Sequence, residues 1–530
     1  MGSEPTRESD HQSARLRSEA RTGSGKLSSV VVIGLSETAV PVAEQMALAP
    51  GEPTVRGVIL LREVETDATS PLRGAGLAMG TLKDLPILHA KHHFDTALVT
   101  LPRAMNKAIE EIRAQLAELG IAFRFLPTIY DAIIGSGADE APMSIKLAEL
   151  VGREPRAIDS ALVRRAIAGR RVAITGAGGS IGSDLCRIAA AYEPAELLLI
   201  ERAENALFEI DRELALRFPK TPRRALLHDV VEDAETAAIF ERYRPEVVFH
   251  AAAHKHVPMM EDHPAHAVNN NVFGTRSVAQ AALAVGAERF ILISTDKAVN
   301  PSSVMGATKR FAELFVRSLN DVGPTRFSMV RFGNVLGSSG SVLTVWAKQI
   351  AAGRAVTITD PRMTRYFMTI PEAAVLVIQT AGLSACQSAG ADVYVLDMGE
   401  PVRIVELAKR FIAAHGLTPT VEPIEASSAG DRLAPSHPIA ISGIRPGEKL
   451  HEQLAHEAEQ LQPTAIAGVN AWAGPALSKV ESEALMTDLS RIRKSLDAEA
   501  VLAAIRKWTP TLPNRVVCPG ENMKIPAPAA

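Results

Sequence analysis

At 530 residues the chain has room for about two to four domains of roughly 150 residues each. Its 57 Lys and Arg nearly balance 60 Asp and Glu, which excludes a binder of nucleic acid driven by basic charge. Hydrophobic residues reach 47% but aromatics only 4%, so Ala, Val, Ile and Leu carry the apolar mass, which suits α/β layers better than an aromatic-rich β-sandwich.

Residues 1–28 are polar and charged and are expected to form a disordered tail; they lack the apolar core of a signal peptide. An α/β series then covers 29–140, with strands at Val30–Ile33, Gly57–Leu61, Ala97–Thr100 and Ala122–Leu126 and a helix over Met105–Leu119. A connector, 141–170, carries a turn at Val151–Pro155 and a helix at Asp159–Ala168. A second series, 171–330, places strands at Val172–Ile174, Glu196–Ile200, Ala225–Leu227, Val247–Phe249 and Phe290–Ile293. The pattern predicts two Rossmann-like, doubly wound parallel sheets. Residues 331–515 mix short strands and helices and are expected to form a smaller substrate-binding lobe with C-terminal helices. Within it, 422–442 reads as a Pro-, Ser- and Ala-rich loop insertion, and 516–530 as a loose tail. No apolar run reaches about 18 residues, so no membrane-spanning helix is predicted. Cys186, Cys386 and Cys518 are far apart and in no metal-ligand spacing, as expected of free thiols in a reducing, cytoplasmic setting.

The strongest phosphate-binding signal is Thr175-Gly176-Ala177-Gly178-Gly179-Ser180-Ile181-Gly182, between a strand and a helix. Gly176, Gly179 and Gly182 permit a tight turn and close approach of backbone to a pyrophosphate, while Ser180 and Ile181 open a helix whose N–H groups face the anion. Glu201 ends the next strand, 19 residues beyond Gly182, where a carboxylate binds the adenosine ribose and repels a 2′-phosphate. NAD is therefore favoured over NADP, although the adjacent Arg202 pulls the other way. Asp229 and Val230 follow the third strand, and Ala251 and Ala252 the fourth, completing the dinucleotide crevice. The counterpart in the first series, Gly34–Ala39, lacks two of the three glycines and reads as a nucleotide-binding shape without that function.

The apolar strand Phe290–Ile293 runs into Ser294-Thr295-Asp296-Lys297, at the strand end where chemistry sits in such sheets. A helix from about Val304 places Met305 and Lys309 one turn apart. At these residues the chain resembles short-chain dehydrogenases, which carry a Ser/Thr with a Tyr-x-x-x-Lys pair; Thr295 and Lys309 hold two of those places and Met305 the tyrosine place. With Ser294–Pro301, Glu149–Pro155, His250–Pro258, Asn271–Thr275, Arg331–Val342 and Arg445–Lys449, it resembles more closely the UDP-N-acetylglucosamine 4,6-dehydratases of bacterial polysaccharide and glycan biosynthesis. The large members of that family usually carry transmembrane helices ahead of the first α/β domain, and none is predicted here.

The resemblance implies an extended short-chain dehydrogenase fold and oxidation of a UDP-sugar at C4. Proton removal at C5 and loss of the C6 hydroxyl as water follow, and the hydride returns at C6. Such a site needs an adjacent acid and base. Lys297 is expected to be the C5 base, made neutral by burial and neighbouring cations. Asp296 is expected to be the acid at C6 and the acceptor of the C4 proton, because Met305 can take none. Thr295 would bind the C4 oxygen and Lys309 the nicotinamide ribose. Asn271 and Lys255 would line the cofactor, and Lys255 and His256 would reach phosphates. Asn334, Arg365, Arg445 and Glu448 would hold the nucleotide diphosphate end of the substrate.

His250, His254, His256, His263 and His266 have no cysteine among them and no four-ligand spacing, so no metal is expected. Phe311, Leu314, Phe315 and Leu319 form an apolar helix face, either core or a dimer seam, and related enzymes imply a homo-oligomer. Two other readings remain: a sugar-nucleotide 4-epimerase, which needs a C4 proton acceptor but no Asp-Lys pair, and a non-catalytic NAD-binding protein.

Overall fold

The computed structural model describes Val151 and two stretches of chain. In the first, 29–125, it omits 36–38, 41, 44–45, 47–53, 62–77 and 102–105; in the second, 159–512, it omits 321, 339, 384–391, 416 and 422–435. The chain divides into two compact units, with the main break between Ala138 and Asp139.

The first unit is a five-stranded parallel sheet: β1 (Ser29–Gly34), β2 (Thr54–Leu60), β3 (Ala78–Thr81), β4 (Thr96–Thr100) and β5 (Ala122–Phe125), in the order β3-β2-β1-β4-β5. Its central strands are apolar on both faces; Val30, Val32 and Ile33 have no exposed surface, as a helix-covered parallel sheet requires. The expected helix lies at Asn106–Glu118 and turns Ile112 and Leu116 into the core. Strand β3 and the helix Leu85–His92 were not anticipated; four residues of strand are too few to show a period. Of the loop Gly34–Ala39, Ser36, Glu37 and Thr38 lie outside the described residues.

In the second unit a helix, α1 (Ser160–Ile167), precedes the strands β6 (Arg171–Thr175), β7 (Glu196–Glu201), β8 (Arg223–Leu227), β9 (Val247–His250), β10 (Arg289–Ile293) and β11 (Arg326–Arg331). They order as β8-β7-β6-β9-β10-β11, all parallel, so the winding reverses between β6 and β9. That reversal opens a crevice at the strands' carboxyl ends. The sheet continues past residue 331: β12 (Val393–Leu396) pairs in parallel with β11, and β14 (Val469–Trp472) and the two-residue β13 (Gln462–Pro463) close it antiparallel. Alternation along β10 divides the core, with Phe290 and Leu292 facing one layer and Ile291 the other.

Three helices matter below: α2 (Val304–Arg317), α3 (Lys479–Ile492) and α4 (Ala498–Trp508). Ser303 caps α2 by accepting from Gly306 N–H at 3.1 Å, and Glu261 accepts from Val304 N–H at 2.7 Å. Of the predicted apolar face, Phe311 and Phe315 of α2 and Leu319 just beyond it are core, and Leu314 is half-buried. Leu485 and Leu489 of α3 and Val501 and Ile505 of α4 lie in the same buried cluster, so the chain covers this face itself.

The expected loop at 422–442 is corrected in its last third. Ser436–Ile441 is a strand, parallel to Val356–Ile358 on one side and Thr418–Thr420 on the other. Its alternation buries His437 and Ile439, a two-residue period that the flanking Pro and Ser content obscures. Residues 422–435 lie outside the described residues, as do the tails and most of Glu149–Pro155.

Candidate active site

The glycine turn after β6 is a cradle that side chains would fill. Gly176 sits at φ +68°, and a Cβ there would lie 2.8 Å from Ala252 N. A Cβ on Gly182 would land on the Gly176 carbonyl oxygen. Ser180 and Ile181 begin the helix Ser180–Ala191, so its first N–H groups face the turn. Beneath the switch point, His250 bridges Thr175 Oγ1 at 2.7 Å and Thr275 Oγ1 at 2.9 Å, and burial drives it down to about 3; it is a neutral tie between the ends of β6 and β9 and the helix Gly274–Ala284. Among the described residues no three His, Cys, Asp or Glu side chains gather as a metal site.

A cavity of about 290 Å³ lies on the far side of the turn, lined by Gly176, Glu201, Arg202, Asp229, Val230 and Ala252 among others. Glu201 is committed to backbone: Oε2 accepts from Gly178 N–H at 3.1 Å, and Oε1 from the N–H groups of Arg202 and Ala203 at 3.0 Å each. It therefore braces the glycine turn as well as facing this cavity. Arg202 leans on Asp229 at 3.5 Å and donates to Asn270 Oδ1 at 3.2 Å.

A larger cavity of about 620 Å³ lies on the near side. Gly179, Ser180, Ile181, Gly182 and Ala251 line its floor. Lys255, His256, Asn334, Arg365 and Glu448 line it as well. Thr295, Lys297, Met305 and Lys309 complete it. The sequence-predicted catalytic residues thus converge, from the end of β10 and the first turns of α2.

Asp296 sits just behind this wall with no exposed surface. Its Oδ1 accepts from Thr295 Oγ1 at 2.9 Å and from Lys297 Nζ at 3.0 Å. Its Oδ2 is buried without a hydrogen-bond partner among the described residues. Lys297 Nζ also donates to Asn334 Oδ1 at 3.3 Å and stands 3.8 Å from Glu452 Oε1. Lys309 Nζ donates to the Ile293 carbonyl at 2.7 Å.

The two lysines differ in electrostatics. Burial pushes Lys309 down to about 8, only partly opposed by Glu313. Lys297 corrects the expectation of a lowered value. Burial favours its neutral form, but the carboxylates of Asp296 and Glu452 outweigh burial and the Arg365 cation and hold it above the ordinary lysine value.

Three substrate or cofactor assignments change. Arg445 is exposed and lines neither cavity. Arg365 reaches the cavity, but its guanidinium donates to the carbonyls of Thr364, Lys449 and Leu450 at 2.7, 2.9 and 3.2 Å, so it clamps the segment after Gly447. Asn271 is fully buried, and its amide makes four bonds to protein: to His254 N and O, Asn270 Nδ2 and Thr308 Oγ1. It fixes the His254 segment against α2 rather than offering a free amide.

Two groups escaped the sequence reading. Glu452 lines the cavity from a loop 155 positions beyond Lys297, and nothing in its spacing marks it; Lys449, which closes the Arg445–Lys449 motif but was given no role there, lines the cavity too. The second is an ion cluster under the strand end. Glu313 of α2 pairs with Arg331 of β11 at 2.7 Å, Arg331 with Glu459 at 2.7 Å, and Ser294 Oγ donates to Glu313 at 2.7 Å.

Comparison with known proteins bears on this geometry. The model of the polysaccharide biosynthesis protein family matches residues 172–471, which hold both cavities. The chain belongs to that family. Among its relatives is EpsC of Bacillus subtilis (strain 168), a probable polysaccharide biosynthesis protein, 39% identical over 444 residues, 82% of this chain and 70% of that one. A UDP-N-acetylglucosamine 4,6-dehydratase (inverting) of Campylobacter jejuni (strain 81-176) is 32% identical over 292 residues, 54% of this chain and 77% of that one. Among solved structures, Pen from Bacillus thuringiensis superposes with a TM-score of 0.50 at 27% identity, over 61% of this chain and 98% of that one. The extended short-chain dehydrogenase architecture is thus that of the family. Among the described residues, no helix is long and apolar enough to cross a membrane.

Proposed function

We propose that this family member is a nucleotide-sugar 4,6-dehydratase acting on a UDP-N-acetylhexosamine, UDP-N-acetylglucosamine first, with NAD held at the glycine turn. The observation that carries the reading is the buried Asp296–Lys297 pair, 3.0 Å apart, beside a Met at the tyrosine place of the Met305–Lys309 turn. An epimerase requires a proton acceptor where Met305 has none, and has no use for the Asp-Lys pair.

The glycine turn fits a dinucleotide, since a Cβ at Gly176 or Gly182 would collide with the backbone of Ala252 or of Gly176 and open the tight turn that sets the helix N-terminus against a pyrophosphate. When bound, the nicotinamide supplies the acceptor that takes a hydride from sugar C4 and returns it at C6. The chain's own groups move the protons. Asp296, sealed behind the wall, takes the C4 hydroxyl proton by way of Thr295 Oγ1, which lines the cavity and donates to Asp296 Oδ1 at 2.9 Å, and by the same route later gives it to the departing C6 oxygen. Protonation of Asp296 also cancels one of the two negative charges beside Lys297, so that the ammonium, one-fifth open, gives a proton to the solvent of the cavity and the neutral amine then takes the one at C5. Thr295 directs the C4 oxygen, and Lys309 holds the nicotinamide ribose. Lys255 and His256 flank the phosphates, and Asn334 and Glu448 line the same cavity. Glu201 favours NAD through its charge at the ribose.

The test is incubation of the full chain with UDP-N-acetylglucosamine and NAD. The expected product is a 4-keto sugar nucleotide lighter by one water. A product of unchanged mass with inverted C4 would instead establish epimerisation, and no turnover of any UDP-sugar despite NAD binding would establish the non-catalytic alternative.

A further inference from the structure

Lys297 is met from two directions. Asp296 reaches it from its own turn at 3.0 Å. Glu452 reaches it from the loop that follows Gly447, at 3.8 Å from Oε1. The Glu452 side chain is only 4% exposed, against 21% for Lys297. Its Oε2 has no hydrogen-bond partner among the described residues and stands 3.7 Å from Lys449 Nζ. A buried carboxylate aimed at a reacting amine, rather than at backbone donors, has its largest effect on that amine.

The loop that carries Glu452 is fastened to the turn that carries Lys297. Lys449 Nζ donates to the Val299 carbonyl at 2.7 Å and Ser302 Oγ to the Gly447 carbonyl at 3.0 Å. Asn300, at φ +42°, accepts at Oδ1 from His456 Nδ1–H at 3.0 Å and donates through Nδ2 to Gln453 at 2.9 Å. Four attachments over so short a stretch fix the distance between Glu452 and Lys297.

We propose that Glu452 is a positioning residue for Lys297, the second jaw of a carboxylate clamp that holds the amine at the cavity wall and governs when it surrenders its proton. The proposal rests on the assignment of Lys297 as the C5 base. With Asp296 neutralised by the C4 proton, Glu452 is the anion that remains beside Lys297. It keeps the amine's affinity for a proton high enough to attack a carbon acid, and it retains the ammonium that later returns that proton to C5. The charged groups facing Lys297 are Asp296 on its own turn, Glu452 and Lys449 on the opposing loop, and Arg365 of the neighbouring two-residue strand.

The experiment is competitive acetylation of the full chain with acetic anhydride across a pH series. Peptide mass spectrometry reads Lys297, in the native protein, in Glu452→Gln and in Glu452→Asp. It needs no substrate. Removing one opposite charge within this distance lowers an amine's titration midpoint by about one pH unit, a tenfold rise in the neutral fraction at a given pH. Glu452→Gln is expected to show that drop, and Glu452→Asp to keep most of the native midpoint. In turnover, the acid limb of kcat for Glu452→Gln is expected to move down by the same interval, with KM within about twofold. A Lys297 midpoint equal in all three folded proteins would overturn the proposal. If the Gln variant does not fold, a native and an Asp midpoint that both sit at the ordinary lysine value overturn it as well. Failure of the native chain to release a 4-keto product would count against the dehydratase reading alone, because the labelling result stands without catalysis.

Discussion

Asp296 and Lys297 are consecutive, yet the fold gives them different surroundings. The carboxylate is sealed behind the wall, and the amine is one-fifth open to the cavity. Asp296→Asn keeps the shape and removes the proton carrier. The expected result is a loss of kcat of about 10²-fold or more, with NAD affinity by calorimetry unchanged. Gly333 shows how little room the carboxylate has. A Cβ there would lie 2.9 Å from Tyr366 Cβ and 3.2 Å from Asp296 Oδ2, so Gly333→Ala must displace the acid or the strand beside it. That variant is expected to lower kcat by about tenfold while thermal unfolding stays cooperative, a loss of about 1.4 kcal/mol of transition-state stabilisation.

Helix α2 and strand β11 hold the strand end through a buried ion cluster. Burial alone would raise the Glu313 carboxyl; its pairing with Arg331, helped by Arg310 and Ser294, reverses this and brings it to about 2. The folded value lies below the ordinary 4.5, so the stabilisation is complete above that pH and is lost as the pH falls from 4.5 toward 2. A gap of this size corresponds to about 3 kcal/mol at neutral pH. Glu313→Gln leaves Arg331, which has no exposed surface, short of one counter-charge. Urea unfolding is expected to show a loss of roughly 3–5 kcal/mol at pH 7, with a shallower acid slope than the native protein. Because Ser294 also donates to Glu313, the same variant is expected to reduce turnover through the misplaced Thr295–Lys297 turn.

At the scale of the molecule, the C-terminal pair α3 and α4 decides what α2 faces. Leu485, Leu489, Val501 and Ile505 have no exposed surface, and they close the layer that holds Phe311 and Phe315. Leu489→Ala is expected to cost about 2–5 kcal/mol, read from the shift of the urea midpoint at constant slope. The sheet that forms the cofactor crevice also recruits β12 and β14 from far along the chain, so β11, next to the strand with the catalytic turn, is paired on both sides rather than left as an edge.

What the amino-acid order determined by itself was whatever depends on local period and short spacing. It includes β1, β2, β4 and β5 of the first sheet and β6 to β10 of the second, but not Ala78–Thr81, Arg326–Arg331 or Val393–Leu396, together with the glycine turn with Glu201 one strand on, the Thr295–Lys297 strand end and the Met305–Lys309 turn. These are legible because a buried strand, a phosphate turn and a helical i,i+4 pair each leave a pattern within about 20 residues. The strand at Ser436–Ile441, the clamping role of Arg365, the distance of Arg445 from the cavities and the four protein bonds of Asn271 needed the tertiary structure. So did the charge on Lys297, because Glu452 lies 155 positions away and only folding brings a second carboxylate to it. Electrostatic balance depends on distance and burial in three dimensions, and neither is written in the spacing of residues along the chain.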